Sequence, residues 1–144
     1  MPSNRKFSVR AATWHDDRAA LQALRREVFV VEQKVPEELE WDESDADCIH
    51  ALALDSRQRP IGTGRLLADG RIGRMAVVQP WRGQGVGGAI LAFLIDCARR
   101  EHRGRICLNA QTHAIGFYAR HGFVAEGDEF MDAGIPHRRM MLSR

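Results

Sequence analysis

Lysine is nearly absent from this sequence, although arginine is common. Lys6 and Lys34 are the only lysines, so a catalytic lysine that forms a Schiff base has few candidates, and none is proposed. The basic residues are spread along the chain, and the formal net charge is only +2. A nucleic-acid-binding surface needs concentrated positive charge against the phosphate backbone. The sequence therefore gives no indication of a nucleic acid partner.

Cysteine is scarce as well. Cys48, Cys97 and Cys107 are odd in number, lack the spacing of metal ligands, and lie in or beside apolar segments. This pattern is typical of free thiols in a reducing compartment. We expect neither a disulfide nor a metal site.

Long hydrophobic runs are missing too. No apolar run approaches the roughly 20 residues that a membrane-spanning helix needs, and the first residues contain no apolar stretch of signal-peptide length. We therefore expect a cytoplasmic protein with no membrane partner. A chain of 144 residues, 44% of them hydrophobic and 28% charged, has the size and composition of one globular domain, which we assign to residues 1–144.

The first half of the chain alternates between apolar and polar patterns. Thr13 is a predicted N-cap, and the helix after it runs to about Val31, with Pro36 marking its end. The carboxylate-rich segment Glu37–Asp47 favours a loop, because like charges crowd it. An antiparallel meander follows from the alternating segments and from the Asp69-Gly70 turn. The predicted strands are Phe7–Ala12, Ile49–Leu54, Ile61–Leu67 and Ile72–Val78.

The second half contains the clearest helix of the sequence. It follows the glycine-rich segment Gly83–Gly88 and stops at Gly104, with an apolar stripe at helical spacing formed by Ile90, Phe93, Leu94, Cys97 and Ala98. Thr112 is predicted to cap a short helix that runs through Arg120. Further strands are predicted at Ile106–Ala110, Phe123–Ala125 and Arg139–Leu142.

The glycine-rich segment joins a predicted strand to this helix. The first N–H groups of a helix have no partner within it and carry partial positive charge, and glycine lets a phosphate approach without a Cβ in the way. Arg82 adds a cation beside them. The segment therefore predicts a phosphate-binding turn, with a purely structural turn as the alternative.

Gly83, Gly85 and Gly88 also satisfy the G-x-G-x-x-G spacing of a dinucleotide-binding turn. In a dinucleotide fold, however, the motif follows the first strand, and an acidic residue stands about 20 positions later. Here three or four strands precede the motif, and Leu108 and Asn109 stand at that distance. A nicotinamide-dependent oxidoreductase therefore rests on glycine spacing alone. A P-loop is excluded, since no Gly-Lys-Ser/Thr follows.

The pattern Arg82-x-x-Gly85-x-Gly87 resembles the pyrophosphate-binding motif of the GNAT superfamily of N-acetyltransferases. The resemblance implies an α/β fold with a central, twisted, mixed but largely antiparallel sheet of six to seven strands and about four helices. It also implies acetyl-CoA as co-substrate and a small-molecule or peptide amine as acceptor, attacked directly in a ternary complex. Other blocks look like the ElaA-like branch: Val28–Gln33, Val35-Pro36, Asp42, His50, Ala110-Gln111, Phe117-Tyr118 and Gly134–His137.

The same resemblance implies a coenzyme A site. The pyrophosphate is expected among Arg82, Gly83, Gln84, Gly85, Val86, Gly87 and Gly88. The strand residues Met75, Ala76 and Val77 are expected to pair with the pantetheine arm, and a bulge there leaves an N–H free for the oxyanion. Asn109 either bonds the pantetheine arm or caps a turn.

Tyr118, the only tyrosine, matches the position where GNAT proteins commonly keep a tyrosine near the coenzyme sulfur, so it is the candidate general acid. Glu32 and His50 lie in blocks that resemble the family and are the candidate bases, with ordinary structural roles as the alternative. His113 and His137 are expected at the substrate rim or in structural roles. The segment Glu37–Asp47 predicts a cationic acceptor, unless it is only a solvated surface.

Two matters stay open at this point. A non-catalytic, coenzyme A-binding regulatory module is the alternative to an enzyme, although Tyr118 argues against it. The sequence fixes neither the amine acceptor nor the oligomeric state, for which a homodimer is one alternative.

Overall fold

A computed structural model describes residues 6–143 of the chain. Its centre is a seven-stranded sheet with the strand order β1-β2-β3-β4-β5-β7-β6. All neighbouring strands are antiparallel except the parallel pair β4 and β5. This confirms the predicted mixed, largely antiparallel sheet. The strands are β1 Phe7–Ala12, β2 Ile49–Asp55, β3 Pro60–Leu66, β4 Arg71–Val77, β5 Cys107–Gln111, β6 Phe123–Asp132 and β7 Ile135–Leu142.

Helices cover both faces of the sheet. They are α1 Trp14–Arg25, which continues as the π-helical segment Arg26–Glu32, α2 Glu37–Glu40, α3 Val86–Arg100 and α4 Ile115–Ala119. Because side chains alternate along a strand, β2 contributes Ala51 and Ala53 to a core cluster with α3, and Leu52 and Leu54 to a cluster with α1. Thr13 caps α1 as predicted, since its hydroxyl accepts the Asp16 N–H at 3.0 Å.

Three predictions of secondary structure were wrong. Thr112 does not cap a helix: it is the first residue of the 3₁₀-turn Thr112–Ala114, and α4 begins at Ile115 without a side-chain cap. The segment Glu37–Asp47 is not a loop: α2 and a 3₁₀-helix, Glu43–Asp47, occupy most of it, because arginines from other elements pair with its carboxylates. Strands β6 and β7 extend well beyond the predicted 123–125 and 139–142. Their cross-strand pairing continues through a register shift between Glu126 and Phe130. Gly127 lies in this shift, and a glycine in the sequence favours the end of a strand.

The parallel pair β4 and β5 is joined only at its beginning. Arg71 pairs with Cys107 and Ile72 pairs with Leu108, and the described residues of these two strands form no further pairs. The second half of β4 therefore has a sheet partner on one side only, β3. This opening in the sheet positions the candidate site.

Two other predictions can be compared with the described residues. Within residues 6–143, no helix has both the length and the apolar character needed to cross a membrane. Cys48, Cys97 and Cys107 are free thiols, as expected.

Candidate active site

A cavity of about 400 Å³ lies at the opening between β4 and β5. Met75 of β4, Asn109 of β5 and Tyr118 of α4 line it, so three residues proposed for coenzyme binding and catalysis meet there. Asp42 and His137 also belong to its wall. The wall of the cavity therefore contains residues predicted for the coenzyme site together with residues of the acidic segment and of β7.

Strand β4 bulges where it borders this cavity. Its register against β3 shifts between Thr63 and Arg65, and Arg74 has a φ of +50°. Such a backbone conformation is strained for a residue other than glycine and persists where its surroundings enforce it. A bulge leaves backbone groups unpaired. The predicted bulge therefore lies beside Met75, Ala76 and Val77, the residues expected to meet the thioester.

The glycine turn follows β4 directly. Gly83 and Gly85 have φ values of +76° and +89°, and Gly85 is the N-cap of α3. The first helical bond runs from the Ala89 N–H to the Gly85 carbonyl at 3.0 Å, so the amides just before Ala89 belong to the unpaired first turn. A Cβ added at Gly83 or Gly85 would meet no atom within 4 Å. The backbone of the turn is therefore open to approach at Gly83 and Gly85.

Other residues of the turn hold its shape. The Gln84 side chain donates to the Pro80 carbonyl at 2.9 Å, and Val86 is buried under the turn. A Cβ at Gly87 would lie 3.4 Å from the Phe117 ring, and one at Gly88 would lie 3.2 Å from the His121 ring. Gly88 therefore also permits close packing against α4 and the turn after it.

Arg82 links the turn to the end of the π-helical segment. Its Nε donates to the Val77 carbonyl at 2.9 Å, and its two terminal nitrogens donate to the Glu32 carboxylate at 2.5 and 2.6 Å. These bonds from Arg82 lower the pKa of Glu32. Glu32 therefore lies beside the phosphate turn as an ionised partner of Arg82.

His50 lies inside the protein on the α1 side of β2. Its ring stacks on Trp14 with centroids 5.5 Å apart, and its Nε2 is 2.8 Å from the Asp45 carbonyl oxygen. Burial lowers its pKa. Neither His50 nor Glu32 is among the described residues that line the cavity, so the structure does not bring the two candidate bases together with Tyr118.

Tyr118 lies in α4 between two aromatic rings. Phe117 and Phe123 contact it edge-on, with ring centroids 5.0 and 6.1 Å away. Burial raises the pKa of Tyr118 to about 12. The hydroxyl therefore keeps its proton throughout the neutral and mildly alkaline range and can act as a hydrogen-bond donor.

The carboxylates of the segment Glu37–Asp47 form an ionic cluster with three arginines of other elements. The cluster consists of Arg25, Arg65, Arg74, Glu40, Asp42 and Asp45. Arg25 donates to Glu40 and to Asp45 at 2.7 Å each, and all three side chains are only 1% exposed. Desolvation raises the pKa of Glu40. The centre of the acidic segment is thus buried and paired, which the sequence did not indicate.

Arg65 and Arg74 connect the cluster to the cavity. Arg65 donates to Asp42 and to Asp45 at 2.8 Å, and its bonds lower the pKa of Asp42 to about 2. Arg74 approaches two carboxylates of the cluster more loosely, at 3.6 Å from Glu40 and 3.5 Å from Asp42. The side of the cavity formed by this segment therefore presents paired charges, not a free negative field.

Polar side chains line the far wall of the cavity. Gln111 donates to Gln33 at 2.9 Å, and His113 Nε2 lies 2.6 Å from the Gln111 side-chain oxygen. His137 Nδ1 lies 2.7 Å from the Ile135 carbonyl oxygen. These residues come from three segments distant in sequence, so spacing alone gave no signal for their meeting.

Comparison with known proteins settles the family. The protein-family model of the acetyltransferase (GNAT) domain matches residues 11–144 of this chain. This chain belongs to the GNAT acetyltransferase family. Members of this family use acetyl-CoA as co-substrate, and the chain is an acetyl-CoA-dependent N-acetyltransferase. The predicted family and reaction class are confirmed.

Individual relatives agree with this assignment. The protein named N-acetyltransferase YjcF of Bacillus subtilis, itself uncharacterised, is 43% identical over 122 residues, which cover 82% of this chain and 86% of that protein. An acyl-CoA N-acyltransferase from Pseudomonas aeruginosa superimposes with a TM-score of 0.84 at 32% identity, over 96% of this chain and 100% of that one. Escherichia coli ElaA gives a TM-score of 0.83 at 26% identity, with coverages of 94% and 99%.

Proposed function

We propose that this GNAT protein acetylates a primary amine by direct attack on the thioester of acetyl-CoA, within a ternary complex at the opening between β4 and β5. One observation carries the proposal: an open glycine turn follows a bulged strand that borders the same cavity as Tyr118. Phosphate binding, carbonyl polarisation and proton donation then have residues in one continuous region. The acceptor is a small molecule or a peptide with a free amino group.

The pyrophosphate would be held by backbone amides from Arg82 to Gly88. Amides at a helix N-terminus favour an anion through their hydrogen bonds and the helix dipole. The guanidinium of Arg82 is already held by Val77 and Glu32, so it supplies a fixed cation at the start of the turn. The pantetheine arm would run along Met75, Ala76 and Val77, with Asn109 on the opposite strand as a hydrogen-bonding partner.

In the transfer step, the amine nitrogen attacks the acetyl carbon, and the carbon–sulfur bond breaks. A free N–H of the bulged strand would hold the developing oxyanion, and Tyr118 would donate to the departing thiolate. Full proton transfer from Tyr118 is uphill, because its pKa of about 12 exceeds the roughly 8.5 of a free thiol. We therefore assign Tyr118 a strong hydrogen bond to the thiolate, and the thiolate takes its proton from the amine nitrogen through water.

Glu32 and His50 are the base candidates proposed from the sequence. The contacts of both weigh against direct proton abstraction, since Glu32 already accepts two charge-assisted bonds and His50 Nε2 contacts a backbone carbonyl. If Glu32 acts as the base, Glu32→Gln lowers kcat. If it only orients Arg82, the same substitution changes the KM for acetyl-CoA and leaves kcat near the wild-type value.

A cationic acceptor also remains part of the proposal, in a narrower form. The cluster carboxylates Glu40, Asp42 and Asp45 are paired with arginine. Attraction of a cation must therefore come from exposed acids, namely Asp132, which lines the cavity, and Glu38 and Glu43 of the acidic segment. A cytoplasmic location, a single domain over residues 1–144 and a homodimer stay predictions.

The test is a turnover assay with acetyl-CoA, a panel of primary amines and a thiol reagent, with a matched Tyr118→Phe variant. We expect CoA release for one class of amine and a fall of about 10²-fold in kcat for the variant, with little change in the KM for acetyl-CoA. Coenzyme A binding without turnover of any amine would favour the regulatory module instead.

The single tyrosine allows a direct check of the donor. Because Tyr118 is the only tyrosine in the chain, the ultraviolet absorbance of tyrosinate reports its ionisation alone. Since its pKa is raised to about 12, the native protein should show no ionisation near pH 10, where the denatured chain titrates. A native midpoint near 10 would mean that Tyr118 is solvated and not placed as described.

A further inference from the structure

We propose that His137 is the general base of the acetyl transfer and takes the proton of the attacking amine at its Nε2. The inference rests on the proposed function of the cavity and assigns a base that neither Glu32 nor His50 readily provides. It follows from the placement of the ring, the bond at its Nδ1 and the freedom of its Nε2.

The fold fixes the position of the His137 ring. In strand β7, His137 lies opposite Gln111 of β5 and opposite Phe130 of β6. Residues directly opposite in antiparallel strands point to the same face of the sheet, so the ring lies between these two neighbours. The Phe130 ring stacks on it with centroids 5.9 Å apart and planes 23° apart. The imidazole is therefore held on a regular strand, where rigid placement of a catalytic group is possible.

The hydrogen bond at Nδ1 determines the tautomer. Nδ1 lies 2.7 Å from the Ile135 carbonyl oxygen, and a carbonyl oxygen can only accept. Nδ1 therefore carries the proton, and in the neutral ring the lone pair is on Nε2. An imidazole oriented through its second nitrogen in this way is the usual arrangement of a histidine base.

Nε2 is available to a substrate. His137 is 9% exposed and lines the cavity together with Tyr118. No hydrogen bond to Nε2 is found within residues 6–143, and Nε2 is not among the buried polar atoms that lack a partner. The lone pair is therefore accessible, and His137 contributes to the wall of the cavity.

The other histidine of the cavity differs in its surroundings. His113 lies on the exposed 3₁₀-turn Thr112–Ala114, and its Nε2 is bonded to the Gln111 side chain at 2.6 Å. Its remaining nitrogen belongs to an exposed ring, which water can solvate. His137 combines burial, a fixed tautomer and a free nitrogen in one residue.

In the proposed step, all atoms and charges are accounted for. The ammonium form of the acceptor first passes one proton to His137 Nε2, and the neutral amine nitrogen then forms a bond to the acetyl carbon. The carbon–sulfur bond breaks with its electron pair on sulfur. The thiolate accepts a hydrogen bond from Tyr118 and takes the second proton of the amine nitrogen through water. The imidazolium of His137 finally returns its proton to solvent.

Three variants test the assignment. His137→Asn keeps an N–H near the position of Nδ1, and with it the bond to Ile135, but removes the base. His137→Ala leaves space for added imidazole, and His15→Asn is the control at a surface histidine. We expect His137→Asn to lower kcat by about 10²- to 10⁴-fold, with the KM for acetyl-CoA unchanged. Imidazole should restore part of the activity of His137→Ala.

A second readout separates catalysis from structure. The acceptor is compared with a fluorinated analogue whose amine is mostly neutral at the assay pH. Loss of the base matters less for this analogue, because its amine is already neutral. The fall in kcat caused by His137→Asn should therefore be smaller with the analogue than with the parent amine. Thermal melting and coenzyme A binding of each variant establish that it is folded.

Several outcomes would overturn the assignment. They are a folded His137→Asn variant with kcat within about threefold of wild type, and an equal deficit for both amines without rescue by imidazole. A third, measured on the additional variant His113→Asn, is a loss of kcat that His137→Asn does not share. If the wild-type protein acetylates no amine of the panel, the proposed function itself fails, and the base assignment fails with it.

Discussion

The glycine turn and the acidic segment Glu37–Asp47 are the two most conspicuous features of the sequence, and they behave oppositely in the fold, where the acidic segment forms the ionic cluster. The turn, residues 82–88, is open at Gly83 and Gly85, where no atom would meet an added Cβ within 4 Å. The cluster is closed, with Arg25, Glu40 and Asp45 each 1% exposed. A run of glycines in a sequence indicates that the backbone must be approached closely at that place. A high density of charged residues does not indicate whether their side chains are exposed to water.

The two regions differ because their partners lie at different distances along the chain. The turn is built from consecutive residues, and its property, an approachable backbone, follows from them alone. The cluster joins residues at least 15 positions apart, such as Arg25 with Glu40 and Arg65 with Asp42. Only the packing of α1 and β3 around the acidic segment creates it.

The largest effect is expected from breaking the cluster. Arg25→Met removes the donor to both Glu40 and Asp45 and leaves buried carboxylates without their shortest contacts. Such a change costs about 3–5 kcal/mol of unfolding free energy. The measurement is urea denaturation of the variant and the wild type.

The adjacent residue supplies the control. Arg26 pairs with Glu37 at the surface, with both side chains about half exposed, and an exposed pair contributes about 0–1 kcal/mol. Arg26→Met should therefore be nearly neutral. Equal losses for the two variants would mean that the cluster is not the buried, paired unit described, and the contrast with the open turn would disappear.

The next effect concerns the turn. Gly87→Val should weaken coenzyme A binding, measured by calorimetry, by about 10-fold or more, because the branched side chain presses the first turn of α3 against Phe117 and displaces the unpaired amides proposed to hold the pyrophosphate. The charged hydrogen bonds lost in this way are each worth roughly 1.5–3 kcal/mol. Gly87 is a better probe than Gly85, whose φ of +89° would strain valine. Ala19→Val on the exposed side of α1 is the control.

The fold of the Gly87 variant should survive. A Cβ there makes an ordinary contact of 3.4 Å with Phe117, so the melting temperature should stay close to that of wild type. A folded variant that binds acetyl-CoA as well as wild type would remove the phosphate-binding role from the turn. Gly87→Ala has a smaller side chain, so its affinity for acetyl-CoA should fall between those of wild type and Gly87→Val.

Much of the fold could be predicted from the sequence, because its elements have clear local signals. The apolar stripe of α3 and the capping hydroxyl of Thr13 depend on neighbours within one or two turns. The length of β6 and β7 could not be predicted, since strand β6 is mostly exposed and its regularity comes from pairing with β7. Local propensity is weak evidence for such strands.

The candidate site was predictable where a motif carries the chemistry and unpredictable where tertiary contacts do. Tyr118, Met75 and Asn109 meet at the cavity, as the family resemblance implied. Glu32 and His50 lie in similarly conspicuous blocks, yet one pairs with Arg82 and the other stacks on Trp14. His137 Nε2 can accept a proton because no hydrogen bond to it is found among the described residues. Which atoms of the folded chain come near Nε2 depends on tertiary packing, and no sequence pattern predicts it.

The smallest effect should come from the exposed acids of the segment Glu37–Asp47. Neutralising Glu38 and Glu43 together, as Glu38→Gln/Glu43→Gln, leaves the ionic cluster intact, because neither belongs to it. Exposed charges of this kind contribute about 0.2–1 kcal/mol, so the KM of a cationic acceptor should rise only about 1.5- to 5-fold at low salt. The rise should vanish as salt shortens the screening length below roughly 8–10 Å, while the KM for acetyl-CoA stays constant. The matched control, Asp96→Asn/Glu101→Gln, makes the same change of charge on the α3 side of the sheet and should leave both KM values unchanged. An acceptor KM that does not move at low salt would show that these acids only keep the surface solvated, and attraction of the acceptor would then depend on residues inside the cavity.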